Sequence, residues 1–236
     1  MGSGMTSPTP LLFDLPAIGG DAPFRASSLS GKPASWRWGS LAPAAYTLIM
    51  ADPPWRFYNR SAKGEGKNPV AHYACMPLDA IKALPVQQLA NPRGCLLWLW
   101  GTWAMLPQAI AVGEAWGFRY VTGFPWVKRT ASGKLAFGPG YVVRVSTEHV
   151  TLWAIGDPPY GPGCTSERGI LLDGGEALDA VTREHSRKPD EQYAMARRLI
   201  PSGPACELFA RQSWLGFDAW GNETDKFTAD AGEVGS

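Results

Sequence analysis

The chain has 236 residues, 45% of them hydrophobic and 18% charged, with a formal net charge of +1. That length and balance suit one globular α/β domain and argue against both a disordered chain and a polycation that grips nucleic acid over its whole surface. Four scattered cysteines with no Cys-x-x-Cys pair, three separated histidines, no signal peptide and no apolar run of bilayer length argue against a disulfide framework, a zinc site and a membrane span, and set a cytoplasmic expectation.

Residues 1–44 are rich in Pro, Ser and Gly and read as a surface arm, with Met1 to Gly4 a cloning remnant ahead of Met5. A single domain is expected over 45–226, followed by a flexible tail over 227–236. Tyr46 to Ala51 is apolar throughout and predicts a strand buried on both faces. The polar, basic stretch 56–72 follows as a loop, and Pro77 opens a short helix to about Leu84. Gly94 to Trp100 predicts a second buried strand. Thr102 is placed to cap a helix that ends near Trp116, with Gly117 closing it. Phe118 to Lys128 has strand character, 129–147 is a basic Gly-containing loop, and Glu148 to Ile155 is a third strong strand. Residues 156–176 read as a flexible Gly/Pro-rich stretch. Pro189-Asp190-Glu191 opens a helix to about Ile200, and Ala205 to Ala210 is the last core strand. Strands alternating with helices predict an α/β fold with a mainly parallel central sheet and helices on both faces. Ligands of such sheets collect at the carboxyl ends of the strands. Asp52 and Arg211 fall at such ends, and so does Asn222 if the segment after Arg211 folds back over the sheet edge.

Asp52-Pro53-Pro54-Trp55 directly follows the first strand. An acid, two prolines and an aromatic at a strand mouth suit the gripping of a planar exocyclic amine. The carboxylate accepts one N–H, a proline carbonyl held by its ring accepts the other, and an aromatic wall stacks on the ring that bears the amine. The bland alternative is a Pro-rich turn. The same residue types recur in Asp157-Pro158-Pro159-Tyr160, which ranks lower because it lies in a Gly/Pro loop without the blocks that follow Asp52. Arg56, Arg60, Lys63 and Lys67 form the basic cluster nearest the first motif. Eleven tryptophans serve either ring recognition or core packing.

Further blocks follow in order: His72-Tyr73-x-x-Met76, Leu97 to Thr102, Trp126-Val127-Lys128, Thr147-Glu148-His149, Arg183 to Glu191, Glu207 to Arg211, and Trp220 to Glu223. This order, over residues 46–223, closely resembles the MT-A70 family of adenine-N6 methyltransferases. The resemblance implies a Rossmann-like methyltransferase fold, S-adenosylmethionine as methyl donor, and adenine in a nucleic acid, DNA before RNA, as acceptor. It implies that Asp52, Pro53, Pro54 and Trp55 form the amine grip and active-site floor, with Asp52 also touching the cofactor. Tyr73 resembles the gate tyrosine, with Arg56 on the same loop, and Glu148 and His149 resemble active-site wall positions. Lys188 resembles the lysine that pairs with the cofactor carboxylate. Phe209 and Arg211 resemble cofactor-pocket residues, and Asn222 and Glu223 the pair that holds its ribose. A sulfonium methyl is already activated, so this chemistry needs no metal. Phe217 departs from a frequent Trp, and Trp36-Arg37-Trp38 lacks the acid that some relatives place there for the cofactor adenine. Other readings are an enzyme acting on cytosine N4, RNA adenine or a protein amide, and a catalytically silent nucleic-acid-binding subunit.

Overall fold

A computed structural model describes residues 36–55, 75–130, 132–136, 138, 140, 142–162, 164, 169 and 187–227. Arg56, Tyr73, most of the N-terminal arm and all of the loop 56–72 lie outside the described residues. The strands are β1 (Leu48–Ala51), β2 (Gly94–Gly101), β3 (Arg119–Val127), β4 (Thr147–Gly156), β5 (Ala205–Leu208) and β6 (Asp218–Trp220). They form one six-stranded sheet in the order β3-β4-β2-β1-β5-β6. β1 lies at its centre, parallel to both β2 and β5, and β5 is parallel to β6. β4 pairs antiparallel with β2 and with β3. Among the described strands, five therefore run one way and β4 runs against them. The short edge strand β6 returns the chain beside β5 after Arg211, the folding-back on which the placement of Asn222 depended.

The sheet is buried on both faces, which is why β1 and β2 read as continuous apolar runs rather than alternating ones. Ile49, Leu97, Leu99, Trp153 and Leu208 face one layer with α1 (Leu78–Lys82) and α2 (Leu106–Ala115). Leu48, Met50, Leu96, Trp98 and Trp100 face the other, where α3 (Glu191–Leu199) packs through Tyr193, Met195, Ala196 and Leu199. Trp38, Trp98, Trp100, Trp116 and Trp153 are fully buried, so core packing takes many of the tryptophans. Truncating such a ring to Ala costs about 3–5 kcal/mol. Trp116 also ties the two helices of its layer together, donating its indole N–H to the Ile81 carbonyl at 2.8 Å.

Two local expectations need correction. Thr102 makes no side-chain cap; a 3₁₀ turn over Trp103–Met105 comes first and α2 starts only at Leu106, with Pro107 in its first turn. Pro lacks an N–H to donate, so a first-turn position suits it where a helix interior would not. Phe227, assigned to the tail, is buried at 7% exposure, and its N–H donates to the Arg211 carbonyl. β3 is an edge strand, which accounts for its Pro125, its exposed first five residues and a register irregularity between Tyr120 and Thr122. No helix among the described residues is long and apolar enough to cross a membrane.

Candidate active site

The polarity of the strands decides which loops meet. One rim of the sheet collects the carboxyl ends of β1, β2, β3, β5 and β6 together with the amino end of the reversed β4. Asp52 follows β1, Lys128 follows β3, and Glu148 is the second residue of β4. Phe209 and Arg211 follow β5, and Asn222 and Glu223 follow β6. Asp157 follows the far end of β4 and lies on the opposite rim, exposed. Its turn repeats the local bonding of the first motif: the Tyr160 N–H donates to the Pro158 carbonyl as the Trp55 N–H donates to the Pro53 carbonyl. The two motifs share a turn and differ in where the sheet delivers it.

The Asp52 loop is pinned from below. The Trp55 N–H reaches the Pro53 carbonyl at 2.8 Å, a three-residue turn, and the Met76 N–H reaches the Pro54 carbonyl at 3.0 Å. The Trp55 indole packs in the core at 4% exposure and donates its N–H to the Trp100 carbonyl at 3.2 Å. It underlies the loop as a floor and does not offer a free stacking face. The Pro53 carbonyl keeps a fixed direction, and a carbonyl oxygen has a second lone pair for another donor.

Asp52 meets Lys188, from the segment just ahead of α3, at 2.7 Å. The same ammonium reaches Glu148 at 3.2 Å and lies 5.3 Å from the centre of the Trp100 ring. The second oxygen of Glu148 accepts a hydrogen bond from Lys128. Four charges thus alternate along the rim: Lys128, Glu148, Lys188, Asp52. Burial raises the pKa of both carboxyls, but the balance differs. Glu148 has two lysines, which outweigh its desolvation and hold it down at about 2. Asp52 has the bond to Lys188 and the distant Arg211, and the negative Glu148 works against it, so its pKa stays above the usual carboxylate range. His149 is buried and its pKa is lowered to about 4, chiefly by that burial, so the ring is neutral. It lies against Trp103, with the ring centres 5.1 Å apart.

An open cleft lies beside Asp52 and Lys188, lined also by Phe209, Arg211 and Phe227. Its inner wall is a hydrogen-bonded chain. Arg187 pairs with Asp190, Gln212 donates to Asp190 and to the Tyr193 hydroxyl, and that hydroxyl donates to Glu207 at 2.7 Å. Burial pushes the Glu207 carboxyl up to about 7. Arg211 donates to Glu223 at 3.1 Å, which links the β5 and β6 ends, while Asn222 is exposed beside them. Phe227 sits under the guanidinium groups of Arg187 and Arg211, at 5.3 and 4.9 Å from its ring centre.

The structure therefore brings together Asp52, Pro53, Glu148, Lys188, Phe209, Arg211 and Glu223 on one rim from distant stretches of the chain, and leaves His149 buried behind it. Sequence reasoning missed Lys128, Tyr193, Glu207, Gln212 and Phe227. Lys128 and Glu207 lay inside quoted blocks as residues without an assigned role. Among the described residues no group of His, Cys, Asp or Glu side chains could hold a metal ion.

The family model MT-A70 matches residues 46–223, a span that contains every element just described. The chain is 30% identical to the type II methyltransferase M.MunI of a Mycoplasma species over 193 residues, which cover 75% of this chain and 77% of that protein. It is 29% identical to the N6-methyladenosine RNA methyltransferase MTA1 of Cryphonectria parasitica over 196 residues, 81% of this chain and 55% of that one. Human N(6)-adenine-specific methyltransferase METTL4 is 28% identical over 187 residues, 77% of this chain and 38% of that protein.

Proposed function

The chain belongs to the MT-A70 family of adenine-N6 methyltransferases, a family that uses S-adenosylmethionine, and we propose that this member methylates adenine in DNA, with Asp52 and the Pro53 carbonyl gripping the amine. The observation that carries the reading is the position of Asp52, at the mouth of the central strand and inside a cleft of alternating charge. Of the relatives above, the type II methyltransferase is matched over 77% of its sequence and the RNA methyltransferase over 55%, and the DNA reading follows the fuller match.

The residues present fit the cofactor. An amino-acid end carries a carboxylate and an ammonium, and Lys188 with Asp52 offers the matching cation and anion. Arg211 lines the cleft and pairs with Glu223 beside Asn222 at the end of β6, donors and acceptors of the kind ribose hydroxyls take, and Phe209 supplies an apolar side to the cleft. When bound, S-adenosylmethionine supplies a methyl group already activated by a sulfonium. Asp52 and the Pro53 carbonyl draw the two amine N–H bonds out of the ring plane and turn the nitrogen lone pair toward that methyl. The nitrogen gains positive charge as the bond forms, so an ionised Asp52 stabilises the transition state more than the ground state. Lys188 at 2.7 Å favours the ionised Asp52 that catalysis needs and works against the burial that raises its pKa. In duplex DNA the base must leave the stack, at a cost of a few kcal/mol.

The test is incubation with S-adenosylmethionine and mixed DNA and RNA, digestion to nucleosides, and mass spectrometry, for the wild type and Asp52→Ala. N6-methyldeoxyadenosine is expected from the wild type, and a loss of about 10²–10³ in turnover from the variant. A mark on cytosine, a mark confined to RNA, or an active Asp52→Ala sinks the reading. Failure of the wild type to bind labelled cofactor at saturation points instead to a silent subunit.

A further inference from the structure

Lys128 has no assigned part in this site, yet Glu148 ties it to Lys188. Each lysine binds one oxygen of Glu148, and each lies over an indole: Lys188 at 5.3 Å from the Trp100 ring centre, Lys128 at 4.9 Å from that of Trp126. The two indoles pack edge to face at 5.8 Å, and Gln192 of α3 accepts the Trp100 N–H at 2.7 Å. A carboxylate held at both oxygens, on a rigid aromatic floor, has one orientation open to it. Without Lys128 the two buried carboxylates would share a single lysine, and any anion that drew on Lys188 would leave Glu148 uncompensated.

We propose that Lys128 is a positioning residue for methyl transfer: its ammonium fixes the orientation of Glu148, and Glu148 in turn sets Lys188 against Asp52. This rests on reading the cleft as the methyl-transfer site. Among the described residues, the charged groups that face Glu148 are Lys128 at the end of β3, Lys188 ahead of α3, and Asp52 at the end of β1. His149, next to it on β4, is neutral above a pH of about 4, and Arg211 and Glu207 act on Asp52 from the β5 side.

The variants are Lys128→Met, which keeps the stem over Trp126 and removes the charge, and Lys128→Arg, which keeps the charge. The first measurement is the carboxyl ¹³C titration of Glu148, which needs no turnover. The Glu148 midpoint is expected to rise by at least about one pH unit in Lys128→Met and to return in Lys128→Arg. The second is turnover in the Glu148→Gln background. Lys128→Met is expected to lower kcat/KM by roughly 10–100-fold alone, and by no more than about twofold on top of Glu148→Gln. An unmoved titration, or an equal loss in both backgrounds, overturns the proposal, the latter because Lys128 would then act on substrate directly. If the wild type methylates nothing, the functional reading fails and the titration still decides this one.

Discussion

Gly221 joins β6 to Asn222 and Glu223, and the space around it lets that join exist. A Cβ at this position would lie 2.3 Å from the Ala210 carbonyl oxygen, 2.8 Å from the Ala210 nitrogen and 3.1 Å from the Phe209 carbonyl carbon. Ordinary contact begins near 3.4 Å, so Gly221→Ala asks for about 3.4 − 2.3 = 1.1 Å of movement between two pieces of backbone. Neither piece has slack. The Ala210 N–H donates to the Trp220 carbonyl at 3.0 Å, and Phe209 is already held at φ 61°, which a non-glycine residue adopts only under constraint. Overpacking of this kind costs about 1–3 kcal/mol. Part of it will appear as opening of the rim, where the Arg211–Glu223 bond of 3.1 Å spans the same gap. A cost of that size corresponds to roughly 5–150-fold in cofactor affinity if the cleft bears all of it. Titration calorimetry with S-adenosylhomocysteine reads the affinity, and urea unfolding reads the stability. Affinity within twofold of wild type together with an unchanged unfolding midpoint refutes the argument, because the contact would then have relaxed without cost.

Acid should weaken the protein through Glu148. Its pKa is about 2 in the fold against an ordinary 4.5, a depressed value, so its contribution is present above pH 4.5 and is lost as pH falls from 4.5 toward 2. The shift of 4.5 − 2 = 2.5 units is worth at most about 3 kcal/mol, and Glu148→Gln should lose that advantage at pH 7 while matching wild type near pH 2; a stability difference that does not vary with pH would contradict it. Asp157→Ala should methylate at the wild-type rate, since Asp157 sits on the rim away from the cleft; a loss comparable with that of Asp52→Ala in the nucleoside assay would move the site to the other motif.

The sheet and the site were legible to different depths, and the difference is one of range. Runs such as Gly94 to Trp100 announce buried strands because burial on both faces acts residue by residue. Strand direction does not act locally. Alternating strands and helices suggested a mainly parallel sheet without saying which strand is reversed; the stretch between β3 and β4 supplies no crossover helix among its described residues, and without one the chain returns antiparallel. That single reversal brings Glu148 to the rim of Asp52 and against Lys128, a contact no sequence spacing displays. The same reversal carries Asp157 away. Locally the two Asp-Pro-Pro-aromatic segments are near equals, down to the turn that each closes with its own N–H. At Asp52 a lysine, a second carboxylate and an open cleft converge. Convergence of that kind is decided by which way each strand points, so the role proposed for Asp52 depends on the sheet before it depends on the motif.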